Sequence, residues 1–477
     1  MTELAHEVRG LVRRLIPDAD MTERGGLERL DQMFDEPLRI AIAGMIKSGK
    51  STLLNALVGQ RLAPTDAGEC TRIVTWYGHG PRYEVTAVGF DGSRTSLRFE
   101  RGDELSVDLA GRDHISIERL DVRWPSERLV GQQLVDTPGL GSLSRDVSGR
   151  TESFLTGEDD LPVDAVVYLL RHRHPADLSF LEAFHGGVAS GGAMGAIGVL
   201  SRADELAGAQ LDALGTASRV AKRLASDARI ERLVQTVVPV AGLLAETAAT
   251  VRNDELLALQ RVGQLPEKAR ANVLLTADRF SRAEVTGLEA EVRTQLLDRF
   301  GIYGIRLAAQ LVAEGSVGRS DELASALNAA SGIGELRAEL SLRFAQRSSA
   351  LRARAALNLL TGFAVTQNDP DARGDIERIA AGAHELVELD LIDDLRRGRG
   401  GPLDRASLVR LFGGQGATAG HRLGLDAHAD STSVRQAATD ALRRWQREAE
   451  NPLASPEVVT VARAAIRTCE GLVVASA

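Results

Sequence analysis

The run Gly44-Met45-Ile46-Lys47-Ser48-Gly49-Lys50-Ser51 has the spacing of a phosphate-binding loop, and its flanks suit one. Leu38-Arg39-Ile40-Ala41-Ile42-Ala43 reads as an apolar strand leading into it. Thr52-Leu53-Leu54-Asn55-Ala56-Leu57-Val58 reads as a helix leaving it, stopped by Gly59. In such a loop the glycines let backbone N–H groups close around a polyphosphate, and the helix N-terminus adds its positive end. Lys50 can reach the β- and γ-phosphates, and the Ser51 hydroxyl can ligate Mg2+. Gly44, Ser48, Gly49, Lys50, Ser51 and Thr52 are therefore candidate contacts to a nucleoside triphosphate.

The 477 residues, 44% apolar, suffice for two or three cores. The formal charge of −9, with no dominant basic block, argues against a nucleic-acid binder. Two cysteines, Cys70 and Cys469, cannot form a disulfide framework and suit a reducing compartment. No run of 18 apolar residues is present, and Met1 to Asp20 lacks the apolar centre of a signal peptide. The expected location is the cytoplasm, with any membrane contact peripheral, on the inner face of the plasma membrane.

Residues 1–35 read as one or two helices, with Leu4, Val8, Leu11, Val12 and Leu15 on one stripe. Residues 36–248 alternate strands and helices. Strands are expected at 38–43, 72–78, 84–90, 132–135, 163–170, 196–200 and 236–240, several of them continuously apolar, as buried parallel strands are. The pattern, with the phosphate loop at its start, predicts an α/β P-loop domain, a mostly parallel sheet with helices on both faces. From 249 to 477 the strand signals stop, which predicts an extended all-α bundle. One helix of about 30 residues over 333–364 would span roughly 45 Å. Gly398 to Gly420, with several further glycines, is the expected flexible stretch.

Further chemistry lies downstream of the loop. Asp136-Thr137-Pro138-Gly139 follows the strand Gln132-Gln133-Leu134-Val135, so Asp136 can hold Mg2+ and the Gly139 N–H can approach the γ-phosphate. The polar segment Pro64 to Arg72 precedes another strand, where a GTPase needs a threonine that turns to Mg2+ and the γ-phosphate; Thr71 is the candidate and Thr65 its rival. Ser201-Arg202-Ala203-Asp204 follows the strand Ala196-Ile197-Gly198-Val199-Leu200. The Asp204 carboxylate can accept from both N1–H and the exocyclic amine of guanine, a donor pair adenine lacks, while the Arg202 stem can cover the base. Val240-Ala241-Gly242 is the candidate last base loop. Ser51, Thr71 and Asp136 are thus the expected Mg2+ ligands.

The order and spacing of these pieces resemble the dynamin superfamily over residues 36–248. The strings APTDAGECTRIVTW (63–76), LSRADE (200–205) and VVPVAGLLAET (237–247) resemble the isoniazid-inducible dynamin-like proteins of actinobacteria, in particular the shorter member of that pair. RFGIYGIR (299–306) and HRLGLD (421–426) extend the likeness less specifically. The resemblance implies a GTPase head on a helical neck and trunk, the N-terminal helix joining the C-terminal bundle, GTP hydrolysis on assembly and action on membranes. Implied partners are GTP and another copy or a related dynamin, paired through the heads, Asp177 contributing.

No glutamine follows Asp136-Thr137-Pro138-Gly139, so a Ras-like water-positioning residue is absent there. Lys47 stands where the guanylate-binding and atlastin branches carry an arginine finger, which suggests an internal finger when two heads pair, with a solvated loop lysine as the alternative; Lys47, Lys50 and Thr71 are the candidate catalytic residues. His172 and His174 lack the companions of a metal site and read as a solvated or interface loop. Phe300 to Ile305 and Leu408 to Gly414 are candidate lipid-contacting tips, with core packing as the alternative. A different function, a GTP-dependent regulatory partner of a sister dynamin that does not itself bend lipid, fits the same residues.

Overall fold

A computed structural model describes residues 2–63, 73–101, 105–109, 111, 116–137, 163–170, 195–284, 287–366, 369–396, 398–399 and 401–476. The strands are β1 (Leu38–Gly44), β2 (Val74–His79), β3 (Glu84–Gly89), β4 (Arg94–Ser96), β5 (Arg98–Arg101), β6 (Leu105–Asp108), β7 (Ile117–Trp124), β8 (Gln132–Asp136), β9 (Ala165–Leu170), β10 (Ala196–Ser201) and β11 (Val237–Val240). Nine of them form one sheet in the order β11-β10-β9-β1-β8-β2-β7-β3-β4, with β5 and β6 paired separately.

β11, β10, β9, β1 and β8 run parallel. β2 joins β8 antiparallel and carries β7 parallel, and β3 and β4 follow antiparallel. The sheet is thus mostly parallel, as its apolar strands predict. All of β1 is buried, and alternate residues serve opposite faces. Leu38, Ile40 and Ile42 pack with Leu54 and Leu57, whereas Ala41 and Ala43 pack with Val135 and Tyr168.

Each of the seven expected strands is present. β7 is not foreseen by apolar periodicity, because Glu118, Arg119, Asp121 and Arg123 interrupt it. Its polar residues are satisfied by tertiary contacts. Arg119 lies over the Trp76 ring at 4.7 Å and bonds Asp121 at 3.1 Å, and Arg94 of β4 bonds Asp121 at 2.8 Å.

The helices fall around two further cores. One gathers Leu244, Leu259, Phe280, Phe300, Ile305 and Leu327, from segments between 242 and 330. The other joins Val8, Leu11 and Val12 to Ala353, Leu360, Leu389, Phe412 and Trp445, so the N-terminal helix Glu3–Leu15 packs on Ser348–Thr366. The helix pair at the N-terminus is closed by Arg9, which bonds Asp31 at 2.7 Å and also pairs with Asp35.

The rod expected over 333–364 is corrected by the structure. Helix Ile333–Arg343 ends, a 3-10 turn spans Ala345–Arg347, and a second helix runs Ser348–Thr366. Ile333, Leu336, Leu340 and Phe344 pack into the sheet's core, while Ala353, Leu357 and Leu360 pack into the helical one. The two stripes face different partners, and the chain breaks between them. Both candidate lipid tips are core: Phe300 and Ile305 in one cluster, Leu408 and Phe412 in another, each fully buried. The glycine-rich 398–420 stretch contains the ordered helix Arg405–Leu411, capped by the Asp404 carboxylate at Ser407 N, 3.2 Å.

Candidate nucleotide site

Register places the loop. β1 pairs Ile42 with Asp136 of β8 and Gly44 with Leu169 of β9, and β10 pairs Ser201 with Val240 of β11. The carboxyl ends of these strands therefore share one edge of the sheet, the edge at which ligands of parallel sheets bind.

At that edge the loop turns from Gly44 into helix Lys50–Val58. A Cβ on Gly44, with φ +151°, would lie 2.9 Å from Ser48 Oγ and 3.1 Å from Leu169 Cβ, so the cradle admits only glycine there. Lys50 is buried and its Nζ donates to the Gly44 and Met45 carbonyls at 3.2 and 3.3 Å. Lys47 is exposed and holds a left-handed φ of +60°, uncommon for a non-glycine residue.

The Ser51 hydroxyl lies 3.4 Å from Asp136 Oδ2. Asp136 Oδ1 is buried without a hydrogen-bond partner among the described residues. Burial pushes the Asp136 carboxyl up to about 6, against the opposing effects of Lys50 and the Ser51 bond. A buried carboxylate with an unused oxygen beside a serine hydroxyl suits a hard, oxygen-seeking dication, and Mg2+ fits this donor set. Thr137 Oγ1 donates to Ile42 O at 2.9 Å, tying the turn after β8 to β1.

From the loop a cleft of about 280 Å³ extends toward β10 and β11, lined by Ser48, Gly49, Thr52, Ser201, Arg202, Asp204 and Val240 among others. Asp204 is 8% exposed, and burial pushes its carboxyl up to about 6, with Glu205 adding to the effect. Arg202, at φ +53°, reaches across to donate to the Lys47 carbonyl at 3.3 Å, while Glu205 pairs with it at 3.1 Å.

The structure thus brings Ser48, Gly49, Thr52, Ser201, Arg202, Asp204 and Val240 to one cleft, and Gly44, Lys50, Ser51 and Asp136 adjoin it on the side of the loop without lining it. Ala241 stands behind it, its N–H donating to Ser331 O at 2.9 Å, and Gly242 and Leu243 line the wall instead. Thr71, Gly139, Thr65, Cys70, Asp177, His172 and His174 lie outside the described residues. Leu243, Leu169 and Leu53 were not singled out by the sequence, since apolar residues of a strand or helix carry no signal of facing a ligand.

This combination defines a P-loop nucleotide-binding protein. Residues 40–176 match the profile of the dynamin family. The chain is 42% identical over 457 residues to the isoniazid-induced protein IniC of Mycobacterium tuberculosis, across 94% of this chain and 92% of that one. It is 32% identical over 147 residues to the isoniazid-induced protein IniA of the same organism, across 28% and 23% of the two chains. A bacterial dynamin-like protein of Nostoc punctiforme is 31% identical over 152 residues, across 29% and 21%. The chain belongs to the dynamin family, as a dynamin-like protein of the IniA/IniC type.

Proposed function

We propose that this protein binds and hydrolyses GTP with Mg2+, in residues 36–248, and that residues 1–35 and 249–477 serve as its helical neck and trunk. The observation that carries the reading is one cleft that runs from the loop residues Ser48, Gly49 and Thr52, with Lys50, Ser51 and Asp136 adjoining them, to the buried Asp204 carboxylate. That arrangement matches a molecule with a triphosphate at one end and a base offering two adjacent N–H donors at the other.

In this reading Lys50 leaves its two loop carbonyls to bind the β- and γ-phosphates, and Gly44, Ser48, Gly49 and Thr52 supply the surrounding cradle. Ser51, Asp136 and Thr71 hold Mg2+, which when bound spreads the charge of the β- and γ-phosphoryl oxygens. The Gly139 N–H, outside the described residues, is the proposed donor to the γ-phosphate. Ser201, Arg202, Asp204, Val240, Gly242 and Leu243 frame the base, with Asp204 selecting guanine. Lys47, exposed at the loop's crest, brings its ammonium to the β–γ bridge when a second head closes over the site, where excluding water makes the charge effective.

Assembly through paired heads, with a second copy or a related dynamin, belongs to the same proposal, as does a part in membrane remodelling. A second reading, a GTP-dependent partner that regulates a sister dynamin, is favoured by one observation: both apolar segments that could have touched lipid are buried. No helix among the described residues is long and apolar enough to cross a membrane. Phosphate release from purified protein with GTP or ATP, with Mg2+ or chelator, tests the enzyme. Equal turnover of both nucleotides would sink the guanine assignment. Liposome co-sedimentation with and without GTP separates the two roles.

A further inference from the structure

The base-reading loop does not stand on the sheet alone. Behind it runs the helix Ala290–Ala313, broken at Gly301, where φ is +60° and ψ is 172°. Essentially only glycine occupies that region, so a side chain there would force the backbone elsewhere. A Cβ on Gly301 would lie 3.7 Å from Leu243 Cδ2, in the cleft wall, and 4.0 Å from Asp204 Oδ2. The break also turns out the Arg299 carbonyl, which accepts from Thr247 Oγ1 of the helix after the last base loop. Next to it, Tyr303 is buried and lies within electrostatic reach of Asp204.

One turn further, Arg306 serves the other side of the loop. Its guanidinium donates to Gly208 O at 2.9 Å and to Ala209 O, and also to Leu274 O and Leu275 O at 2.8 and 2.7 Å. Ala207, Gly208 and Ala209, which follow Asp204 closely, all hold positive φ, of 52°, 70° and 56°. Non-glycine residues in that region are strained and persist only where their surroundings enforce them. Arg306 holds two of the three, through the Gly208 and Ala209 carbonyls, because a planar fork reaches several carbonyls that a single ammonium cannot.

We infer that the turn Arg299–Arg306 is the back wall of the base site, with Gly301 and Arg306 acting as positioning residues for Asp204. The inference rests on Asp204 reading guanine and adds that a helix outside the sheet decides where that carboxylate points. Base selectivity is then a property shared between the sheet and the helices that follow it.

The test is equilibrium binding of GDP and IDP to the full chain, wild type against Arg306→Lys, Arg306→Ala and Gly301→Ala. IDP keeps ribose and phosphates but lacks the exocyclic amine that Asp204 would hold. The expected result is a GDP-over-IDP preference in the wild type that falls by about tenfold in Arg306→Ala and Gly301→Ala, as loss of a charge-assisted hydrogen bond gives, and by less in Arg306→Lys. Should Arg306→Ala fail to fold, Gly301→Ala and Arg306→Lys carry the comparison. Unchanged preference in the variants, or equal weakening of both ligands, overturns the inference. Absence of any preference in the wild type overturns the guanine reading itself.

Discussion

Arg352 grips Asp164 with two hydrogen bonds, 3.2 and 3.0 Å long, and both side chains are buried. The same guanidinium donates to Glu36 O and Pro37 O at 2.7 and 2.9 Å, and Asp164 Oδ2 accepts from Arg39 N at 2.7 Å. One arginine of the helix Ser348–Thr366 thus fastens the feet of β1 and β9, at the edge opposite the nucleotide cleft.

Removing Arg352 takes the counter-ion from a buried carboxylate, which keeps only the Arg39 N–H, and leaves two carbonyls without that donor. Arg352→Ala is expected to lower the free energy of unfolding by about 3 kcal/mol, measured by denaturant titration. The double variant Arg352→Leu with Asp164→Asn, which buries no unpaired charge, should recover part of that loss. A single variant within about 0.5 kcal/mol of wild type would show the pair to be dispensable.

Lys50→Ala is expected to weaken GTP binding by at least about a hundredfold with little change in the far-ultraviolet spectrum, since the lysine's own bonds are to loop carbonyls and its loss removes a buried cation from the phosphate end. Titration calorimetry measures this directly.

Guanine selectivity should depend on pH through Asp204. Its neighbours are Arg202 and Glu205 from its own loop and Tyr303 from the helix behind, and burial raises its carboxyl to about 6. Protonated, it cannot accept from two N–H groups. The GDP-over-IDP preference is therefore expected to shrink as pH falls from about 7 to about 5, by up to the fraction of carboxylate lost. The stability linkage has the opposite sense. A carboxyl raised in the folded chain favours folding below its ordinary range, and that contribution is lost as pH rises through about 6.

Lys47 makes a kinetic prediction. Lys47→Ala should bind GTP as wild type does but turn it over about tenfold more slowly when heads are paired, read as phosphate release against protein concentration. Unchanged turnover at high concentration would assign Lys47 to solvent.

How much of this is legible in the chain depends on distance along it. The phosphate loop, the strand before it and the helix after it are contiguous, so spacing alone declares them. Asp136 ends β8 and Asp204 lies in the turn just past β10, and their apolar runs point to the same sheet edge. β7 escapes such reading because Arg119 and Asp121 look like loop residues until Trp76 and Arg94 are beside them. The break at Ala345–Arg347 escapes because spacing reports that a stripe is apolar and not which core it meets.

Local order therefore determined the cradle, its lysine and serine, and the five parallel strands, because backbone preference and periodicity act over a few residues. Only the tertiary structure decided that both apolar tips are interior and that Arg352 ties a distant helix to the sheet. It also brought Gly301 and Arg306, about a hundred residues downstream of Asp204, to the back of its loop. Contacts of that separation depend on how whole layers pack, and no window of sequence contains both partners.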